Sequence, residues 1–318
     1  MSNKLLIKNK SVFQKLVILG ILIGVVLILT FLSDDFLTLS NLSNVSRQVA
    51  LVIITGSAVT LLMISGNFDL SVGSILALTG VIVAKFTQMG VPLWASMIFA
   101  VVLGGVMGLF NGFLVTKLKI VSFIATLGTM YIARGLTFII CGGKSVNTGL
   151  PGNFDDLGRN TIGIFPIPLI IFIVIVLIFY FIESKTILGK YTYAIGGNRT
   201  AAKLSGINDE SVTMLLYVMV GILAGFSGII MASRLGVGQP NVGIGFEFDV
   251  IVAVILGGTS LLGGVGSVVG TVIGAFLVGF LANGLNLIGV HSFYQSVFKG
   301  VVLIGAVLLD KVLKEKMR

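Results

Sequence analysis

Charge-free apolar runs recur along the whole chain, and they restrict its fold more than any other feature. A helix rises about 1.5 Å per residue, so roughly 20 apolar residues are needed to cross a hydrocarbon core of about 30 Å. Runs of this kind, some shorter than a full span and one interrupted only by Arg134, occupy residues 16–33, 48–68, 70–84, 86–116, 120–140, 160–182, 212–233 and 250–298. The sequence therefore predicts an all-α polytopic membrane protein.

The last run, 250–298, is long enough for two helices, and its glycine-rich residues 263–266 mark the expected break between them. Residues beyond Lys299 complete a further span by Leu309. Counted in this way, the chain has about ten spans. Only 10% of the residues are charged, whereas soluble proteins carry about a quarter. We therefore interpret the whole of 1–318 as a single transmembrane domain.

Basic residues cluster in segments that alternating spans place on one side of the membrane. They lie in residues 1–15, at Lys117 and Lys119, in the polar segment 184–211 and in the C-terminal tail. Because Lys and Arg are enriched in cytoplasmic loops, we expect this side to be the cytoplasm, with both termini there. The excess of 21 basic over 12 acidic residues follows from this arrangement. No basic stripe or stacking platform indicates binding to nucleic acid.

The polar segment 184–211 is the longest interruption of the apolar pattern, and it carries a helix signal. Asn198 can cap a short helix that starts at Arg199, and Gly206 can supply the left-handed residue that ends it. Arg199 and Lys203 lie four residues apart on one face, a like-charge pair that suits an acidic partner or anionic headgroups. Two interpretations stay open: a solvated basic loop, and a coupling helix that inserts into a cytosolic ATPase subunit.

Two carboxylates stand at the start of apolar runs. Asp69 and Asp249 each follow a phenylalanine, and each comes after a break, at 65–67 and 243–245 respectively. A carboxylate in this place can cap free backbone N–H groups and complement the positive end of the helix dipole. It can also line a translocation path, since polar groups within a membrane tend to be functional. The sequence leaves both roles open.

Uncharged polar and aromatic side chains within the apolar runs form a second candidate set. Its members on the expected path are Asn111, Ser122, Phe123, Thr126, Asn283 and Phe293. Amides, hydroxyls and aromatic faces suit a neutral sugar, whereas an ion pathway favours charged relays. Hydrogen bonding between helices explains the same residues equally well.

Weak internal similarity indicates an inverted repeat. Residues 111–112 and 122–123 are echoed by 283–284 and 292–293, and residues 68–69 by 248–249. With an odd number of spans between them, the two copies have opposite orientations, an arrangement common in transporters.

Glycines spaced by four residues predict close packing between helices. The sets are Gly20 and Gly24; Gly104, Gly108 and Gly112; Gly221 and Gly225; and Gly266, Gly270 and Gly274. Such spacing puts small residues on one helix face, where backbones can approach closely. The same smooth faces would also let helices shift between two arrangements during transport.

Catalytic and metal-binding patterns are absent from the sequence. Cys141 is the only cysteine and His291 the only histidine, so neither a disulfide framework nor a metal cluster is expected. Residues 142–145, GGKS, imitate the end of a phosphate-binding loop, but Phe138 stands where the first glycine is required. We therefore predict a transport protein without cofactor or metal, not an enzyme. Its energy would come from another subunit or from an ion gradient.

Several short segments together form a specific pattern. They are residues 66–74 (GNFDLSVGS), 111–112 (NG), 122–128 (SFIATLG), 194–198 (AIGGN), 201–207 (AAKLSGI), 255–260 (ILGGTS) and 263–264 (GG). These segments, spread over nearly the whole chain, resemble the permease subunits of bacterial sugar-importing ABC transporters of the ribose, xylose and arabinose branch. Asn67 and Phe68 replace the Gly and Ile of the family pattern, which leaves the substrate open.

The resemblance implies a fold like that of type II ABC importers and import of a ribose-like pentose or related sugar across the bacterial inner membrane by alternating access. It implies a second permease subunit, identical or paralogous, a cytosolic ATPase and an extracytoplasmic sugar-binding protein, around a chain embedded in the lipid bilayer. The ATPase is expected on the cytoplasmic coupling loop, through Gly197, Asn198, Arg199, Ala201, Ala202, Lys203 and Gly206. The alternative is a secondary transporter of a small neutral solute, driven by an ion gradient, with Asp69 and Asp249 as coupling carboxylates.

Overall fold

Helices make up nearly all of the regular structure. The computed structural model describes residues 2–291, 293–295, 297–298, 300–301, 304–305 and 308, with side chains from residue 16 onward. The helices are α1 (Ser2–Leu32), α2 (Leu39–Ile64), α3 (Val72–Gln88), α4 (Leu93–Thr116), α5 (Ser122–Cys141), α6 (Asp156–Arg159), α7 (Ile167–Lys185), α8 (Ile187–Gly197), α9 (Arg199–Leu204), α10 (Asp209–Leu235), α11 (Phe246–Leu256) and α12 (Val268–Leu287). Among these residues the only strands are β1 (Thr161–Ile162) and β2 (Phe165–Pro166), which form one small hairpin. The predicted all-α fold is confirmed.

Six of the described helices are long and apolar enough to cross a membrane: α2, α4, α5, α7, α10 and α12. Other predicted spans correspond to shorter apolar helices, namely Leu16–Leu32 within α1 and the whole of α3. Helix α11 has 11 residues and reaches about 16 Å, half the thickness of the hydrocarbon core. The predicted span beyond Lys299 and the basic tail fall largely outside the described residues.

Two breaks interrupt the spans. Residues 65–71 separate α2 from α3, and residues 257–267 separate α11 from α12, which includes the predicted break at 263–266. Gly66 and Gly263 have φ angles of 79° and 84°, a left-handed conformation that glycine adopts without the steric cost of a Cβ. Both breaks therefore depend on glycine for their geometry.

Helix α10 lies at the centre of the bundle. It packs against α2, α3 and α4, while α12 packs against α2 and α11. By contrast, α7 fully buries only Pro168, Phe172 and Phe179, and one of its faces is an exposed apolar surface that includes Leu177 and Phe181. An outward apolar surface is the arrangement that lipid requires.

Close helix packing, as the glycine spacing predicts, is found between α4 and α10. A Cβ added at Gly221 would lie 2.2 Å from the carbonyl oxygen of Gly104, and one at Gly108 would lie 2.2 Å from that of Tyr217. Gly270 and Gly274 likewise let α12 approach α11. The prediction is wrong within this chain for Gly20 and Gly24, because an added Cβ there would meet no atom within 4 Å.

Helix α6 and the hairpin cover the end of the bundle opposite α9. The Nε of Arg159 donates to the carbonyl oxygen of Arg234 at 2.7 Å, and the backbone N–H of Gly158 donates to the hydroxyl of Ser233 at 2.8 Å. Arg47 of α2 donates to the carbonyl oxygen of Arg159 at 2.9 Å. These contacts attach the loop between α5 and α7 to α2 and α10.

The glycine contact between α4 and α10 can be tested with alanine. Gly221→Ala should lower the free energy of unfolding by about 1–3 kcal/mol, because its methyl group would collide with the backbone of α4. The matched control is Gly128→Ala in α5, where an added Cβ meets no atom within 4 Å. Thermal unfolding of the purified variants in detergent measures the difference. Equal midpoints for the two variants would contradict the packing described here.

Candidate functional site

The break between α2 and α3 is built around a buried carboxylate. Asp69 is 1% exposed, and its Oδ1 accepts hydrogen bonds from the backbone N–H of Ser71 at 2.7 Å and from the Ser71 hydroxyl at 2.6 Å. Its Oδ2 accepts from the side-chain amide of Asn111 on α4 at 3.2 Å. The same amide donates to the Ser71 hydroxyl at 2.8 Å. Asp69 therefore satisfies the backbone N–H of the residue that precedes α3, as the capping role would require, while the transport role stays open.

Side chains from α5 and α10 complete this cluster by pairing the backbone of the break. The hydroxyls of Ser122 and Thr126 accept from the N–H groups of Phe68 and Leu70 at 3.3 and 3.1 Å. The Tyr217 hydroxyl donates to the carbonyl oxygen of Phe68 at 2.8 Å. Irregular backbone at membrane depth is tolerated only where protein or water satisfies it. We call Asp69, Ser71, Asn111, Ser122, Thr126 and Tyr217 the break cluster.

Asp249 lies at the predicted break, and its role on the transport path stays a prediction. The break at 243–245 is present, and Gly245 is the residue before α11, with a φ of 81°. Asp249 lies in the first turn of α11, where its charge complements the helix dipole. However, the carboxylate that accepts from the N–H of Gly245, at 3.3 Å, belongs to Glu247. Glu247 was not singled out from the sequence, although it precedes the same apolar run.

Arg134 is a second functional candidate that the sequence reasoning passed over. Its Nη1 donates to the carbonyl oxygens of Pro240 and Val242 at 2.7 and 2.8 Å, so α5 holds the connector between α10 and α11. Arg134 Nη2 also donates to the carbonyl oxygen of Gly73 on α3 at 3.5 Å. Gly73 in turn lies against Glu247, since a Cβ there would be 2.4 Å from Glu247 Oε2. A lone arginine within an apolar run is itself a signal of function or of a buried partner.

The remaining predicted path residues do not join the break cluster. Asn283 of α12 exchanges side-chain amide hydrogen bonds with Asn41 of α2, at 2.8 and 2.9 Å. The ring of Phe293 lies 4.5 Å from that of His291, and 77% of its surface is exposed. Phe123 follows Ser122 of the break cluster in the sequence, and its side chain is 54% exposed. The two halves of the predicted repeat thus place their asparagines in different surroundings.

The predicted coupling helix is present as α9. The Asn198 side chain accepts from the N–H of Ala201 at 2.9 Å, and Gly206 has a φ of 82° just beyond the helix. Asn198 is the single residue between α8 and α9. Gly197 is exposed, and an added Cβ there would meet no atom within 4 Å. The local capping signals therefore predicted this helix to within a residue.

The two basic side chains of α9 are turned toward their own chain. Arg199 Nε lies 3.2 Å and Lys203 Nζ lies 3.4 Å from the carboxylate of Asp209, which is 6% exposed at the start of α10. Arg199 also donates to the Thr213 hydroxyl at 3.2 Å. From the sequence these charges suited an acidic partner or anionic headgroups, and that prediction stays open because both side chains are about half exposed. In the structure they hold α9 against α10, because Asp209 would otherwise be a buried carboxylate without a cation.

The described residues contain no group of three or more His, Cys, Asp or Glu side chains that could hold a metal ion. Apart from Asn111 Oδ1, the polar side chains of the break cluster are hydrogen-bonded to backbone or to each other.

The break cluster can be tested by an isosteric change within α5. Thr126→Val should lower the free energy of unfolding by about 1–3 kcal/mol, because it leaves the buried N–H of Leu70 without an acceptor. Thr137→Val is the matched control, since the Thr137 hydroxyl donates only to the carbonyl oxygen of Ala133 on the same helix among the contacts described. Thermal unfolding in detergent measures both. A loss no larger for Thr126→Val than for Thr137→Val would contradict the role assigned to Thr126.

Comparison with known proteins places the chain in a family. The family model described as "Branched-chain amino acid transport system / permease component" matches residues 41–307. The chain is 42% identical over 308 residues to the ribose import permease protein RbsC of Escherichia coli, covering 96% of this chain and 94% of that protein. It is 44% identical over 304 residues to the RbsC protein of Bacillus subtilis, covering 95% and 94% of the two chains.

A third relative, the D-allose transport system permease protein AlsC of Escherichia coli, is 38% identical over 284 residues, or 89% of this chain and 86% of that one. No solved structure matches the chain. The family match and these relatives cover most of the sequence, as does the pattern of apolar helices. The chain is a multi-pass membrane protein and belongs to this family of transport permease components.

Proposed function

We propose that the chain is the permease subunit of an ABC-type importer, and that it carries ribose or a related monosaccharide by alternating access. ATP hydrolysis in a separate subunit supplies the energy. The names of the relatives, which include ribose and D-allose permeases, support the substrate class. The structural observation that carries the proposal is the surface of α9, a short helix outside the candidate spans.

Helix α9 exposes a large apolar side chain, Leu204, beside its two half-exposed basic residues, whereas a helix that only faces water presents polar side chains. Arg199 and Lys203 turn to Asp209, and Ala202 is buried. Ala201 and Leu204 remain exposed, with Leu204 at 86%. A helix whose basic side chains pair with its own chain, and whose leucine is free to contact another surface, is suited to insertion into a partner. We assign that partner as the cytosolic ATPase, docked on the coupling loop 184–211.

We propose that the sugar passes beside the break cluster. Asn111 Oδ1 is buried and, within the described part of the chain, is left without a hydrogen-bond partner. Such an amide oxygen can accept from a sugar hydroxyl when the helices around it separate. Asp69 and Thr126 hold the break in place, and Ser122 and the exposed ring of Phe123 lie at the same end of α5.

Asp249, Asn283 and Phe293 belong to the proposed path on the side of α11 and α12. The Phe293 ring exposes a face on which a sugar ring can stack, and Asn283 offers an amide that now pairs with Asn41. Opening of the path would exchange that pairing for contacts with hydroxyls. In this arrangement the path lies between helices, where ligand sites of helical bundles usually form.

The proposed assembly has further partners. A second permease subunit, identical or paralogous, would share the outward apolar surface with the lipid bilayer, and a sugar-binding protein would deliver substrate on the side opposite α9. We propose that the chain resides in the bacterial inner membrane with both termini in the cytoplasm, since the basic segments then obey the positive-inside rule. Nucleic acid has no part in the assembly.

A secondary transporter is the competing proposal, with Asp69 and Asp249 as ion-coupling groups. The contacts of Asp69 weigh against it. Both of its carboxylate oxygens already accept hydrogen bonds from Ser71 and Asn111, so binding an ion there would break the start of α3. Such a transporter would also have no use for the exposed Leu204 of α9.

Reconstitution separates the two proposals. Proteoliposomes that hold the full chain with its ATPase and sugar-binding protein should take up radiolabelled ribose only when ATP is supplied, and an ionophore should leave the rate unchanged. Vesicles with the chain alone are the control and should show no uptake. Uptake by the chain alone that depends on a proton or sodium gradient would overturn the ATP-driven proposal.

The docking surface is tested at Leu204. Leu204→Asp and Leu204→Lys should each weaken ATPase binding at least about tenfold, because either charge would have to be desolvated at an apolar contact. Leu204→Met keeps the apolar side chain and should bind as the wild type does. Co-purification of the ATPase in detergent measures binding, and thermal unfolding of the isolated permease should be unchanged because Leu204 is exposed. If only one of the two charges weakened binding, the contact would be electrostatic and not apolar.

A further inference from the structure

We infer that Tyr193 and Glu183 are positioning residues that attach the coupling loop to the break between α11 and α12, so that movement of α9 is passed into the membrane. This inference rests on the proposed function, because it gives the docked ATPase a mechanical connection to the helices. Neither residue stood out in the sequence, where both lie in an ordinary polar segment.

Hydrogen bonds define the attachment. The Tyr193 hydroxyl of α8 lies 2.7 Å from the carbonyl oxygen of Gly266 and 2.9 Å from Glu183 Oε1, and its single proton serves these two acceptors. The other carboxylate oxygen of Glu183 accepts from the backbone N–H of Val268 at 2.8 Å. Val268 is the first residue of α12, so a side chain from α7 satisfies one of the free N–H groups at the start of that helix.

Direct backbone contact reinforces these hydrogen bonds. A Cβ at Gly196 would lie 1.7 Å from the carbonyl oxygen of Ile64 and 2.5 Å from the N–H nitrogen of Gly264. The Gly264 N–H donates to the Ile64 carbonyl oxygen at 2.8 Å. The end of α8 thus touches the end of α2 and the break before α12 at one point, with no side chain between them to absorb a displacement.

The connection from α9 to this point is short and stiff. Asn198 alone separates α8 from α9, and its side chain is held by the cap on Ala201. A shift of α9 therefore moves α8 as well, because the linker between them is the single residue Asn198. Since Tyr193 and Gly196 lie on α8 within a turn of each other, the displacement reaches the Gly266 carbonyl and the Ile64 carbonyl together.

The Tyr193 hydroxyl is suited to a permanent connection. Burial raises the pKa of Tyr193 well above its usual value, and the neighbouring Glu183 carboxylate raises the pKa further. The hydroxyl therefore keeps its proton and stays a donor at any physiological pH. It does not act as a titrating switch.

The test compares two phenylalanine variants of the same helix. Tyr193→Phe removes the hydroxyl while keeping the ring, and Tyr191→Phe, at a side chain that is 39% exposed, is the matched control. Full transporters are reconstituted with ATPase and sugar-binding protein, and ribose uptake and ATP hydrolysis are measured together. Tyr193→Phe should lower the amount of ribose carried per ATP by about fivefold, the equivalent of one hydrogen bond of about 1 kcal/mol. Tyr191→Phe should keep the wild-type ratio.

The outcomes separate this inference from the proposed function. If the wild type carries ribose with ATP and Tyr193→Phe keeps its ratio, the attachment is overturned while the proposed function stands. If the wild type shows no ATP-dependent uptake, the proposed function fails. A purely structural role would lower the thermal midpoint and the amount of transporter, and leave the ratio of ribose to ATP unchanged, which also overturns the inference.

A second variant keeps the test decisive if Tyr193→Phe does not reach the membrane. Glu183→Gln retains an oxygen that can accept from the Val268 N–H but removes the carboxylate that faces Tyr193. It should lower the ratio of ribose to ATP in the same direction. A wild-type ratio for Glu183→Gln would overturn the inference.

Discussion

Every interruption of a helix inside a membrane leaves backbone N–H and C=O groups that lipid cannot satisfy, and the rest of this structure depends on how those groups are paired. At the break between α2 and α3, Ser122 and Thr126 from α5 and Tyr217 from α10 pair the backbone, while Asn111 from α4 binds the side chains of Asp69 and Ser71. The break thereby becomes the place where α3, α4, α5 and α10 are fixed relative to one another. Rearranging these helices requires exchanging those hydrogen bonds, which makes the break a natural position for a two-state transport mechanism.

Glycine residues make the second contribution to the fold. Because glycine has no side chain, it lets two helix backbones come into contact. The contact of Gly221 with Gly104 brings α10 against α4, and the contact of Gly196 with Ile64 brings α8 against the end of α2. In both places the opposing atom is a carbonyl oxygen, so the surfaces are polar as well as smooth. The contact between α10 and α4 serves helix packing, and we propose that the contact between α8 and α2 transmits movement.

The sequence predicted features that depend on neighbouring residues, but it did not predict contacts between distant ones. Asn198 and Gly206 predicted α9 because capping is local, and the structure confirms it. The ion pairs of Arg199 and Lys203 with Asp209 were not predicted, because Asp209 becomes their neighbour only when α9 folds back on α10. Arg134 was passed over for a similar reason, since the carbonyl oxygens of Pro240 and Val242 that it binds lie in a distant segment. The inverted repeat and the path residues on α11 and α12 stay predictions.

The sequence by itself determined the membrane class, the helical fold, the positions of the breaks and the short helix α9, because apolar periodicity, glycine and capping act within a few residues. It also identified Asp69 as a candidate functional residue, but it did not decide between a capping role and a transport role. Only the tertiary structure decided that Asp69 accepts from the N–H before α3, that Glu247 accepts from Gly245, and that Tyr193 reaches Gly266. The first two contacts join near neighbours in the chain, but the sequence allows several such local turns, and the packing around each break selects one of them. The third contact joins two distant segments, and the sequence alone does not specify how the folded helices bring those segments together.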